Sequence, residues 1–159
     1  MKPAWKKWLP LGLFAALIVA LDQITKALVR AKIPEGGHVP VIPKVVGLTW
    51  VENSGAAFSM LSGMRWLFLV LVALFLIAVG VLIHKKFITA TCELWCLAAI
   101  IGGALGNAVD RAVRGTVTDM IETLFMDFAV FNVADSFITC GTVVLVVYVL
   151  FFDREKAKK

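Results

Sequence analysis

The stretch WLFLVLVALFLIAVGVLI, Trp66–Ile83, decides the fold. A helix of this length, rising 1.5 Å per residue, comes close to crossing the roughly 30 Å hydrocarbon core of a bilayer. Three other apolar segments of similar length accompany it: Trp8–Val29, Cys92–Val109 and Val133–Phe152. Cys92–Val109 is the weakest, since it includes Glu93 and several glycines, yet it is continuous enough to span. Composition agrees. Of 159 residues, 60% are hydrophobic and 17% charged, against about 45–50% and about 25% in soluble domains. The sequence therefore predicts an all-α integral membrane protein, a single membrane-embedded domain over residues 1–159 with four transmembrane helices.

Lys2, Lys6 and Lys7 precede the first apolar run, as basic residues do in a signal peptide. Apolar character resumes after Asp22–Lys26, however, and three more spans follow, so the segment reads as the start of a multi-pass chain. Its N-terminal region has no cysteine, and the chain is not expected to be a lipoprotein itself. The net charge of +5 and a pI near 9.3 would suit nucleic acid. The basic residues fall instead in short clusters flanking apolar runs, the pattern of membrane flanks, and no nucleic-acid partner is expected. Cys92, Cys96 and Cys140 show neither CxxC nor Cys/His spacing for zinc and read as buried apolar thiols.

Orientation follows from lysine and arginine. Lys2, Lys6 and Lys7, then Lys85 and Lys86, then Arg154, Lys156, Lys158 and Lys159 mark the three segments that share one side of a four-span chain, and the positive-inside rule makes that side cytoplasmic. Arg30, Lys32, Lys44, Arg65, Arg111 and Arg114 on the other side weaken the bias without reversing it. Trp5, Trp8 and Trp95 fall near the inner interface and Trp50 and Trp66 near the outer one. Two outer connections are long, Arg30–Arg65 and Asp110–Asn132. Val39–Val51, punctuated by Pro40, Pro43 and Gly47, reads as short strands joined by tight turns. Ile121, Leu124, Phe125, Phe128 and Phe131 make the second connection apolar enough to lie on the bilayer surface.

Polar residues in or beside a span are costly, and here they share a location. Asp22 and Lys26, four apart near the outer end of the first span, face the same way and can pair. Asn107, Asp110 and Arg111 lie at the outer end of the third span; Asn132, Asp135, Ser136 and Thr139 lie at i, i+3, i+4 and i+7 where the fourth begins; Asp119 lies between. Plainer roles exist for several: an interfacial ion pair for Asp22 with Lys26, close helix packing for Gly102, Gly103 and Gly106, a local pair for Asp110 with Arg111. Asp135 has no cation within four positions and is harder to explain away. Two carboxylates sharing a site repel, so one holds a proton while the other is ionised, the arrangement that acid/base hydrolysis needs. Asp110, Asp119 and Asp135 can each supply a member, and spacing does not choose among them. His38, in a polar loop, and His84, on the cytoplasmic side, offer no nucleophilic alternative. An ion or proton path is the competing class, but the inner halves of the spans show no polar file. A lipid-binding scaffold would have no need of two carboxylates.

Five segments, Leu21–Lys26 (LDQITK), Asn53–Phe58 (NSGAAF), Gly102–Arg111 (GGALGNAVDR), Thr118–Ile121 (TDMI) and Phe131–Ser136 (FNVADS), resemble in order the signature blocks of the lipoprotein signal peptidases, also called signal peptidase II. GGALGNAVDR and FNVADS are specific, whereas LDQITK alone is weak. The resemblance implies an aspartic endopeptidase with catalytic Asp119 and Asp135. It gives supporting roles to Asp22, Lys26, Asn53, Asn107, Asp110, Arg111 and Asn132. It implies no metal and no cofactor. The substrate is a prolipoprotein carrying a diacylglyceryl cysteine, cut just before that cysteine. It also implies a bacterial cytoplasmic (inner) membrane location with both termini cytoplasmic, the active site at the outer face, contact with membrane lipid, and an extracytoplasmic β cradle beside an interfacial loop or helix. A monomer is expected. Thr118 departs slightly, since the family often has valine there.

Overall fold

The computed structural model describes residues 5–56 and 60–152. Lys2, the Ala57–Phe58 end of one signature block, and Arg154, Lys156, Lys158 and Lys159 lie outside it, as do the side chains of Trp5 and Lys6. Four helices are long and apolar enough to cross a membrane: α1 Trp5–Lys32, α2 Arg65–His84, α3 Thr91–Val113 and α4 Val133–Phe151. Three strands, β1 His38–Ile42, β2 Val46–Asn53 and β3 Val117–Thr123, form an antiparallel sheet in the order β1-β2-β3. The protein is thus a four-span membrane protein carrying a small sheet.

Glycine lets the helices approach. A side chain at Gly102 would press on the Ala15 carbonyl and Ile18 of α1, one at Gly103 on the Ala134 carbonyl of α4, and one at Gly106 on the Asp22 carboxylate. Close backbone contact of this kind is how helices associate where lipid removes the hydrophobic drive to pack. α3 is therefore the hub, with α1 and α4 on it and α2 attached along one flank. Glu93, which weakened its apolar pattern, is buried and accepts hydrogen bonds from the Thr89 and Ala90 amides (3.0 and 2.9 Å), satisfying donors that the first turn leaves free.

The expected strands form within 38–53, and a third comes from the second long connection, which the sequence marked as an apolar interfacial stretch. Gly115, at φ 87°, ends α3 by accepting the left-handed conformation that turns the chain back into β3. β3 pairs with β2 across a register irregularity, Leu48 opposite Ile121 but Val51 opposite Asp119 and Glu52 opposite Thr118. The remaining 124–132 stretch keeps the apolar exposure expected of it, with Phe125 65% and Phe128 50% exposed. His38, expected in a loop, opens β1 and lies 2.7 Å from Glu122 at the sheet surface. The cysteines differ from expectation. Cys96 is buried and Cys92 half-buried, but Cys140 is exposed, because α4 turns most of its apolar side chains outward.

Candidate active site

The sheet sits at the end of the bundle where α1 and α3 finish and α2 and α4 begin. All nine site residues expected from the sequence meet there. Lys26 and Asp22, one turn apart, pair at 2.8 Å, and Lys26 also pairs with Asp110 at 2.8 Å and donates to Asn107 Oδ1 at 2.9 Å. Lys26 and Asp22 are fully buried and Asp110 nearly so. One buried cation between two carboxylates leaves no charge unpartnered, which a low-dielectric site requires.

α4 begins at Asn132, whose side chain accepts from the Asp135 amide (2.9 Å) while Asp135 Oδ2 accepts from the Asn132 amide (3.2 Å). This reciprocal cap fixes the Asp135 side chain against its own helix start. Asp22 Oδ1 takes the next free amide, that of Ala134, at 3.0 Å. The other Asp135 oxygen accepts from Asn107 Nδ2 at 2.7 Å. Asp119 comes from β3. Its two oxygens accept from Asn132 Nδ2 (2.7 Å) and Asn53 Nδ2 (2.9 Å). Asn132 therefore touches both aspartates, one through its cap and the other through its amide. It also donates to Asn107 Oδ1 at 3.1 Å, which closes the network.

Burial pushes the Asp119 carboxyl up to about 6, and the nearby Asp135 carboxylate adds to the rise. Hydrogen bonds from Asn53 and Asn132 and the Lys26 charge act against it. Asp119 thus exchanges its proton near neutral pH, where an acid/base group is most useful.

Arg111 does not pair with Asp110. Adjacent helical residues point in different directions, and Arg111 Nη2 instead donates to the Gly55 carbonyl at 2.7 Å, with its guanidinium 4.4 Å from the centre of the Phe68 ring. Asp110 serves Lys26, Gln23 Nε2 (3.1 Å) and, at 3.4 Å, the Thr118 amide. Asn53, Asn107, Arg111, Asp119 and Asp135 line a chamber of about 480 Å³, and Phe128 and Phe131 line it too.

Sequence reading missed two groups. Gln23, inside the LDQITK block, donates to Asp22, Asp110 and the Gly106 carbonyl at 3.1–3.2 Å. Behind the site, fully buried Thr118 accepts from Arg30 (2.8 Å) and donates to Glu52 (3.0 Å), which also holds Trp50 and Thr116. Burial raises the Glu52 pKa, but hydrogen bonds from Thr116, Trp50 and Thr118 and the Arg114 charge outweigh it and hold the carboxyl below its usual range. No local spacing announces this set, because it joins α1, β2 and β3. Among the described residues, Glu93 is the only buried charged side chain away from the sheet end, and it serves as a cap.

A membrane-embedded bundle with two carboxylates at one end of its polar network is the architecture of an intramembrane hydrolase. Residues 14–151 match the family described as Signal peptidase (SPase) II, and the chain belongs to that family of peptidases. Proteins named lipoprotein signal peptidase from two Streptococcus pyogenes strains are 42% and 41% identical to it over 134 residues, which is 82% of this chain and 86% of theirs. Two solved structures described as a bacterial membrane enzyme superpose with TM-scores of 0.85 and 0.80 at 32% identity. The first match covers 92% of this chain and 91% of the other, the second 88% and 92%.

Proposed function

We propose that this chain removes the signal peptide from prolipoproteins, cutting just before a cysteine that carries diacylglycerol, with Asp119 and Asp135 as the catalytic pair. The observation that carries the pairing is Asn132, whose side-chain amide donates to the Asp119 carboxyl and whose backbone amide donates to the Asp135 carboxyl. One aspartate, ionised, takes a proton from water as the water oxygen bonds to the scissile carbonyl carbon. The other, protonated, donates to the carbonyl oxygen. The tetrahedral intermediate then expels the cysteine amine, which leaves with a proton returned by the pair. Asp22, Lys26, Asn107, Asp110 and Asn132 hold the pair in place. Arg111, which cannot release a proton in the working range, positions the substrate and the Gly55 segment.

The same reading makes the whole chain one peptidase domain and a monomer in contact with lipid, both termini cytoplasmic and the site at the outer face of the membrane. Lysine and arginine clusters support that orientation. Reporter fusions at Lys159 and within 39–51 reporting the same side would overturn it.

Purified protein given a diacylated prolipoprotein should yield the shortened product. Asp119→Asn and Asp135→Asn should each lose about 10²-fold or more in turnover while still binding substrate. Asp110→Asn should retain more activity than either, and chelators should change nothing. An inactive Asp110→Asn beside a normal Asp119→Asn would move the pair to Asp110 and Asp135.

A further inference from the structure

A second cavity, about 270 Å³, lies between α2, α3 and α4. Phe68, Val72 and Phe75 line it from α2, at the i, i+4, i+7 spacing of one helical face, against Ile100 and Ala104 of α3. From Phe68 to Phe75 it runs about 10 Å along α2. Its walls are apolar except at the sheet end, where Asn107 and Arg111 close it, and these two residues also line the catalytic chamber. The two spaces therefore share a wall at Asn107, whose amide is 2.7 Å from Asp135, and at Arg111, whose guanidinium is held over Phe68.

We propose that this groove takes one acyl chain of the diacylglyceryl group during cleavage. The inference rests on the prolipoprotein reading and deepens it. In that substrate the lipid is joined to the residue beside the scissile bond, so an acyl chain must leave the chamber within a short distance of Asp135. The groove's sheet end lies there, its other walls are apolar, and it runs along the membrane-spanning part of α2. A free membrane lipid has no covalent tie to the residue beside the scissile bond, so its tail seated here would do nothing to orient that bond. The groove adds no hydrophobic transfer energy, since a tail in the bilayer is already in hydrocarbon. What it adds is orientation: a chain held along α2 fixes the cysteine and the bond before it relative to the two aspartates.

Two lipobox peptides, one bearing palmitoyl and one butyryl chains, test this in a single detergent, where partitioning is common to every enzyme variant. Val72→Trp fills the groove from α2, a helix with few packing partners, at a position that does not line the catalytic chamber. It should lower kcat/KM for the palmitoyl substrate about tenfold and leave the butyryl substrate unchanged. Phe75→Ala, which opens the far end, should move the preferred acyl length upward and provides an independent measure if the tryptophan variant fails to fold. Equal losses on both substrates, or no loss on either, would overturn the proposal and leave the groove to a membrane lipid tail. A wild-type protein that cleaves neither peptide would instead overturn the prolipoprotein reading itself.

Discussion

α2 and α3 both cross the apolar layer, and they do so on opposite terms. α2 is the most apolar of the four helices, and 6% of its apolar stretch is buried within the protein; α3 is the least apolar, and 56% of its stretch is buried. In a water-soluble protein that ranking would be reversed, because burial there follows apolarity. In a bilayer, lipid surrounds a leucine as well as a neighbouring helix does, so apolarity gives no preference for the interior. Helices associate where backbones come close and polar groups find partners. α3 supplies both, with Gly102, Gly103 and Gly106 on one stretch and Asn107, Asp110 and Arg111 beyond it. The least apolar span is thus the one that builds the site.

The contrast can be broken most forcibly at the charge that ties α1 to α3. Lys26→Met keeps the shape of the side chain but leaves Asp22 and Asp110 facing each other without a cation. Removing one partner from a buried ion cluster costs about 3–5 kcal/mol, so the variant should unfold at markedly lower temperature in detergent and lose cleavage with it. Wild-type stability would show that water or protons replace the lysine freely, and the site would then be far wetter than its burial implies. Next in size is Gly103→Ala. The added methyl would collide with the Ala134 carbonyl and the Ile138 side chain, and overpacking of this kind costs about 1–3 kcal/mol. Because Ala134 directly precedes Asp135, turnover should fall more than stability alone accounts for, measured as kcat on the folded fraction.

A smaller effect is expected from Asn53→Ala, on the sheet side of the chamber. Asn53 donates to Asp119 and favours its ionised form. Without that donor the carboxyl holds its proton to higher pH, so the apparent pKa near 6 in the cleavage profile should move upward. That value belongs to the interacting pair, and both limbs of a bell-shaped profile should be followed. An unmoved profile would mean that Asp119 is not the group being titrated.

The spans were legible because length and apolarity suffice to place them. α1 runs on to Lys32 and α3 to Val113, a few residues past the apolar runs, because polar turns at the sheet end continue the helices beyond the hydrocarbon. The Asp22–Lys26 pair was legible because i,i+4 spacing fixes which side chains share a face. β3 was not. Val117–Thr123 has four buried residues in succession and no period-2 alternation, and its partner β2 lies more than sixty residues away. For the same reason Thr118 looked like a minor departure from a family pattern, whereas its hydroxyl links Arg30 to Glu52. Reading Asp110 with Arg111 as a pair failed for a local reason: residues side by side in sequence diverge around a helix, and each found its partner on another element.

The smallest predicted effect is the most informative about α2. Gly80 lies in the middle of its apolar run, and a Cβ built there would meet nothing within 4 Å. Its neighbour Val79 is buried, so Gly80 sits just beside the narrow strip by which α2 touches the rest of the protein. Alanine at this position should cost no stability and raise it by at most about 1 kcal/mol, through the higher helix propensity of alanine. Thermal unfolding in detergent should match wild type or rise slightly, and the cleavage rate should match it. A loss comparable to that of Gly103→Ala would mean that a backbone does approach Gly80, and within one chain the neighbouring space is empty. The approaching surface would then belong to a second copy, and the same variant run on a sizing column should shift from a larger species to a smaller one. Matching behaviour of the two proteins would leave α2 as the lipid-facing wall that its composition describes.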